Sequence, residues 1–260
     1  MFTQYKDVLT HLPEYSHNVF RKDYLSWVIK QMKSWSKFSY YLMGFNLLVQ
    51  IYLAYEGWGR VSVAQTVLGF IGANLSVATV VGISNRAPVQ GWFGATSAIA
   101  IAASGLLAGN FADATLQIGY LVFLDAFCIL SPKWNNNVHI DKMHSGTEWI
   151  KYIVFFFIAW GASYVFYGWL HDPRILLDSA TLAISVTGSL LEFNCKREQY
   201  WIWTISSVIT LLLWIQTARM GDANYALVAS YSIFFLNDMW AFFSKDGWFR
   251  GTNNDTETGK

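Results

Sequence analysis

The sequence predicts an all-α membrane protein with eight transmembrane helices: one accessory helix, then two parallel three-helix repeats joined by a linker helix. Three observations predict it. First, apolar residues make up 54% of the 260 positions and charged residues only 13%, about half the ~25% usual in soluble domains. With 13 Trp, 14 Tyr and 19 Phe besides, a water-soluble fold of this size could not hide its apolar surface. Second, eight apolar runs approach the roughly 20 residues that a bilayer crossing needs. Third, Lys and Arg alternate between the connections. The net charge of +1 gives no basic surface for nucleic acid, so no nucleic-acid partner is expected.

The eight runs are 38–55, 61–84, 88–108, 112–130, 149–170, 175–193, 199–218 and 223–243. None alternates apolar and polar positions as a barrel strand would, and Ile153–Ala159 (IVFFFIA) is apolar throughout. Six Lys and Arg precede the first run, and the connections after runs two, four and six and the tail bring that side to fifteen. The other side keeps Arg60, Arg174 and Arg219. Positive charge is retained on the cytoplasmic side, so both termini are expected in the cytoplasm and the count of spans is even.

Residues 1–37 read as a cytoplasmic or interfacial amphipathic segment. Phe20, Tyr24, Trp27, Val28, Gln31, Met32 and Trp35 recur there at helical spacing, suited to a helix lying in the inner-leaflet interface. Residues 38–60 form the accessory transmembrane helix, 61–130 the first repeat, 131–174 a cytoplasmic loop and the linker helix, 175–243 the second repeat, and 244–260 a polar cytoplasmic tail.

The repeat shows when the chain is laid on itself with an offset of 109: Ser76 meets Ser185, Asn85 meets Asn194, Gln90 meets Gln199, Ser97 meets Ser206 and Asp113 meets Asp222. A small slip then pairs Phe-Leu-Asp125 with Phe-Leu-Asn237. Three helices per unit with one linker give both units the same orientation, as in one class of transporter with a central site between its halves.

Polar side chains within spans usually face the bundle interior. Gln199, Trp203, Ser207 and Thr210 share one face of run seven. They either line a ligand site, with Trp203 as a flat wall, or the hydroxyls bond their own helix while Tyr200 and Trp201 join the aromatic belt. In the repeat, Gly94 corresponds to Trp203, so one half is expected to offer a large ring where the other offers empty space. Such a cavity suits an asymmetric ligand with a planar, cationic end. Gln65, Asn74, Gln117, Asp125, Asp178, Asn237 and Asp238 are further interior positions, each equally suited to an interhelical hydrogen bond. Asp113 and Asp222 are placed to cap or charge-complement their helices. All five histidines lie outside the spans, no catalytic or phosphate-cradling motif is present, and Cys128 and Cys195 make neither a disulfide framework nor a metal site. Neither an enzyme nor a cofactor is expected.

The stretch L177-D-S-A-T-L-A-I-S-V, then K196-R-E-Q-Y-W-I-W203, then F-L-N237, resembles the PnuC family of nicotinamide riboside transporters. Asp178, Ser179, Glu198, Trp203 and Asn237 match the family pattern. Leu177 stands where Trp is usual, Gln199 and Tyr200 where Asn-Trp is usual, and Ser207 where Asn is usual. The resemblance implies a full-length SWEET-like fold and a homotrimer in the inner (cytoplasmic) membrane. It also implies facilitated diffusion by alternating access of nicotinamide riboside, a vitamin B3 precursor of NAD, trapped afterwards by cytosolic phosphorylation. It implies Trp203 as the ring-stacking residue, with Gln199, Tyr200, Ser207 and Asn237 as polar contacts and Gln117 and Asn74 as further ones. The alternatives are a thiamine or other vitamin carrier of the same family, and a non-transporting membrane receptor or assembly subunit.

Overall fold

A computed structural model describes residues 1–19, 22–135, 138–219 and 225–244. Asp222, Phe20 and the tail charges Lys245, Arg250 and Lys260 lie outside the described residues. Among the described residues there is no strand, only one isolated bridge between Asp141 and Lys196.

Helices fall on all eight apolar runs. Three short ones come first: α1 (Thr3–Thr10), α2 (Leu12–Ser16) and α3 (Tyr24–Met32). The long helices begin with α4 (Lys37–Glu56), α5 (Val63–Ser84) and α6 (Gln90–Leu107). Next, α7 (Phe111–Tyr120) passes through a π-turn at Leu121–Asp125 into α8 (Ala126–Leu130). After the single turn of α9 (Pro132–Asn135) come α10 (Gly146–Trp169), α11 (Ile175–Phe193), α12 (Gln199–Arg219) and α13 (Tyr225–Phe243). Val63–Ser84, Phe111–Leu130, Gly146–Trp169 and Ile175–Phe193 are each long and apolar enough to cross a membrane.

The helix starts follow from side-chain chemistry. Ser36, Ser62, Asn110 and Ser145 each accept a hydrogen bond from the backbone N–H three residues on, satisfying an orphan donor of α4, α5, α7 and α10. The cap of α7 is therefore Asn110. Asp113 sits in the first turn, where its charge complements the helix dipole.

The ends of α5 and α11 are alike in detail. Arg86 and Cys195, 109 positions apart, both take positive φ (56° and 54°). Ala87 N–H donates to Gly82 O and Lys196 N–H to Leu191 O, each at 2.9 Å. The same closing turn ends both helices. Just before it, the amides of Asn85 and Asn194 both donate to the carbonyl four residues back, at 2.7 and 2.6 Å.

Glycines decide how closely α5 meets α6. A Cβ on Gly72 would lie 2.4 Å from Ile101 Cγ1, and one on Gly82 would lie 2.9 Å from Gln90 Cβ. Small residues at a helix interface let backbones approach in this way. α4 joins the bundle through amides instead: Asn46 Nδ2 donates to Asn74 Oδ1 (3.0 Å), and Gln50 Nε2 donates to Ser230 Oγ on α13 (3.2 Å). α10 packs on α11 but turns Phe157, Ile158, Val165 and Trp169 outward, as suits a lipid-facing helix.

The amino-terminal segment packs more deeply than its polar composition indicates. Tyr5 and Val8 of α1 are buried with Cys128, Trp134 and Phe193. The Tyr5 ring stands edge-on to Phe127 and Phe193, and its hydroxyl donates to Phe123 O at 2.6 Å. Burial pushes the Tyr5 phenol well above its ordinary pKa. Trp27 and Trp35, with Tyr24, Val28 and Met32, pack against α5 and α6 around Val77, Val81, Trp92 and Phe93. That is the apolar face expected of the segment, docked on protein.

Candidate functional site: a central cavity between two helix triplets

α5, α6 and α7 on one side, and α11, α12 and α13 on the other, enclose a central cavity of about 120 Å³. One water needs roughly 10–15 Å³ on the same measure, so the space suits a small organic molecule.

Trp203 forms one wall. A Cβ on Gly188 of α11 would lie 2.9–3.0 Å from its six-membered ring, so the missing side chain is what lets the indole lie flat against α11. Trp203 Nε1 donates to Gln199 Oε1 at 3.3 Å, one turn below. Tyr120 faces it with ring centroids 6.1 Å apart, and the Tyr120 hydroxyl meets Ser185 Oγ at 2.7 Å. Tyr231 and Phe234 of α13, edge-on to each other, add aromatic surface to the lining.

The sequence-predicted residues divide into two groups. Trp203, Tyr200, Ser207 and Gln117 line the cavity. Ser207 Oγ donates to Asp238 Oδ2 at 3.0 Å, so its hydroxyl bonds across to α13 rather than along its own helix. Gln199 is buried outside the lining and positions Trp203. Asn237 accepts from Ser84 Oγ at 3.0 Å and donates to Val80 O at 3.4 Å, bracing α13 on α5. Asn74 accepts from Asn46 and donates to Phe70 O. Thr210 lies further along α12, in a small second pocket with Asp178 and Arg174, whose Nε stands 3.3 Å from Asp178 Oδ2. Tyr231 belongs to both linings and so stands between the pockets. Trp201 turns outward against Phe242.

One expectation needs correction. The space beside Gly94 is filled: a Cβ there would lie 2.0 Å from Asp125 Oδ1. The π-turn at Leu121–Asp125 carries that carboxyl onto the Gly94 backbone and into the cavity lining. π-turns within helices are frequent at functional sites.

Glu192, near the end of α11, also lines the cavity and carried no signal in the sequence reading. It is fully buried, and neither carboxyl oxygen has a hydrogen-bond partner. Trp203 lies within interaction range of it, although the indole N–H is directed to Gln199.

Other acids have structural work. Glu198 Oε2 accepts from Met143 N at 3.2 Å, and Lys196 Nζ meets Glu148 Oε1 at 2.8 Å, tying the loop before α10 to the turn after α11. Cys195 is buried in that turn, and burial pushes its thiol up to about 12, so it is unreactive as a nucleophile near neutrality. No group of His, Cys, Asp and Glu among the described residues could hold a metal ion.

Residues 66–250 match the family described as nicotinamide mononucleotide transporter. No curated protein matches the sequence. Among solved structures, the crystal structure of the vitamin B3 transporter PnuC has a TM-score of 0.71 and 16% identity, covering 88% of this chain and 98% of that one. At that identity the likeness speaks for the fold.

Proposed function

The chain belongs to the nicotinamide mononucleotide transporter family, whose members are membrane transporters rather than enzymes, and from that premise we propose that it carries nicotinamide riboside across the inner membrane by facilitated diffusion. The single observation behind this reading is Trp203, laid flat on Gly188 and facing a cavity bounded by both triplets. A pyridinium ring stacks on such a surface with about 0.5–2 kcal/mol of cation–π stabilisation. Gln117, Ser207 and Tyr200 supply amide and hydroxyl groups for the ribose, since these side chains donate and accept. Gln199 holds the Trp203 ring. Asn237 and Asn74 brace helices, and reach a ligand only if their bonds to Ser84 and Asn46 open.

In this reading all eight helices cross the bilayer with both termini in the cytoplasm. Residues 61–130 and 175–243 are parallel repeats that rock about the cavity, with 38–60 accessory, 131–174 a loop and linker helix, and 1–37 and 244–260 cytoplasmic. The matching turns after α5 and α11, 109 residues apart, support the repeat. The assembly is a homotrimer, and a cytosolic kinase traps the imported riboside as its phosphate.

The test is uptake into liposomes containing the purified protein and no kinase. Labelled nicotinamide riboside should equilibrate across the membrane without an imposed proton or sodium gradient. A strict gradient requirement overturns facilitated diffusion. Uptake of thiamine in place of nicotinamide riboside overturns the substrate.

A further inference from the structure

The cavity is electrically one-sided. Asp125, Glu192 and Asp238 line it from three different helical segments, and among the lining residues there is no Lys, Arg or His. Asp238 has the Ser207 hydroxyl. Asp125 lies on the Gly94 backbone. Glu192, fully buried, has no hydrogen-bond partner for either oxygen. A buried carboxyl without a counter-charge is costly to ionise, and a cation held in the cavity supplies the missing charge. The rings of Trp203, Tyr120, Tyr231 and Phe234 face the same space, and aromatic faces attract cations as well.

We propose that Glu192, supported by Asp125 and Asp238, is a charge-selecting subsite that makes this cavity a receptor for flat organic cations and rejects neutral rings of the same shape. The inference rests on the reading that the central cavity holds the ligand. Trp203 selects for the ring, and Glu192 selects for its positive charge. Beside an uncharged isostere the buried carboxyl keeps its proton and offers no charge, whereas a cation favours the carboxylate, and that difference sets the discrimination.

Two ligand pairs isolate the charge: nicotinamide riboside against its reduced dihydro form, and the pyridinium cation 1-methylnicotinamide against nicotinamide. Titration calorimetry of the purified full-length protein should show each cation binding at least about tenfold more tightly than its neutral partner, a modest share of a close charge pair's energy. In Glu192→Gln the preference should shrink to about twofold or less, through weaker cation binding, while thermal unfolding shows the protein folded. The wild-type comparison needs no variant, and Asp125→Asn is a second substitution should Glu192→Gln not fold. Equal binding within both pairs by the wild-type protein overturns the inference, as does an undiminished preference in folded Glu192→Gln. If only the 1-methylnicotinamide pair discriminates and nicotinamide riboside does not bind, the charge subsite stands and the proposed substrate falls.

Discussion

The two sets of helices around the cavity, α5–α7 and α11–α13, put small residues to opposite use. In α5–α6, Gly72 and Gly82 bring two backbones together, leaving no room for a Cβ at either position. The positions 109 residues later hold Thr181 and Leu191, and the glycine that matters in the second half is Gly188, which admits a side chain, the Trp203 indole, rather than a backbone. Gly94, the counterpart of Trp203, lies under the Asp125 carboxyl. One half therefore packs backbone on backbone and sets Asp125 against Gly94, while the other makes room for the Trp203 ring beside Glu192 and Asp238. The placement of glycines thus gives the two sides of the cavity different walls.

This contrast can be broken at each glycine. Gly94→Val has the largest expected effect. Its Cβ would collide with the Asp125 carboxyl at 2.0 Å, so ligand binding should be lost and stability should fall by about 1–3 kcal/mol, the usual cost of overpacking. Calorimetric titration and thermal unfolding measure the two losses. Trp203→Ala comes next. It should weaken nicotinamide riboside binding by at least about 1 kcal/mol, the stacking scale, and unchanged affinity would remove Trp203 from the site. Gly188→Ala should act a step more mildly, because its methyl meets the face of the six-membered ring at 2.9–3.0 Å and pushes the ring into the cavity. A several-fold loss of affinity in the same titration, with the fold retained, is the expected result. Asn46→Ala gives the smallest effect. It removes an interhelical amide bond outside the cavity lining, worth about 0.6 kcal/mol on average in membrane proteins, so unfolding should shift slightly while binding changes little.

Much of the fold was legible because bilayers impose simple rules on sequence. Apolar runs set the helices, whereas the caps Ser36, Ser62, Asn110 and Ser145 emerged only from the structure. Trp203 was legible because its spacing from Gln199 and Ser207 places all three on one face. Glu192 was not. It sits in L190-L-E-F-N194, just before Lys196, Arg197 and Glu198, and reads as one more charge at the membrane boundary. It is buried where α11 meets the other helices around the cavity. Asp125 was visible as an interior acid, but no motif announces the π-turn that sets it on Gly94. α1 escaped notice because TQYKDVLT is mostly polar, and its anchoring rests on two side chains, Tyr5 and Val8.

The central claim is that a planar ring lies on Trp203 between the two triplets, and a structure with nicotinamide riboside bound tests it most directly. The account predicts the pyridinium ring stacked on the Trp203 indole, its charge toward Glu192 and its ribose toward Gln117 and Ser207. Ligand density elsewhere, with the Trp203 face bare, would contradict it.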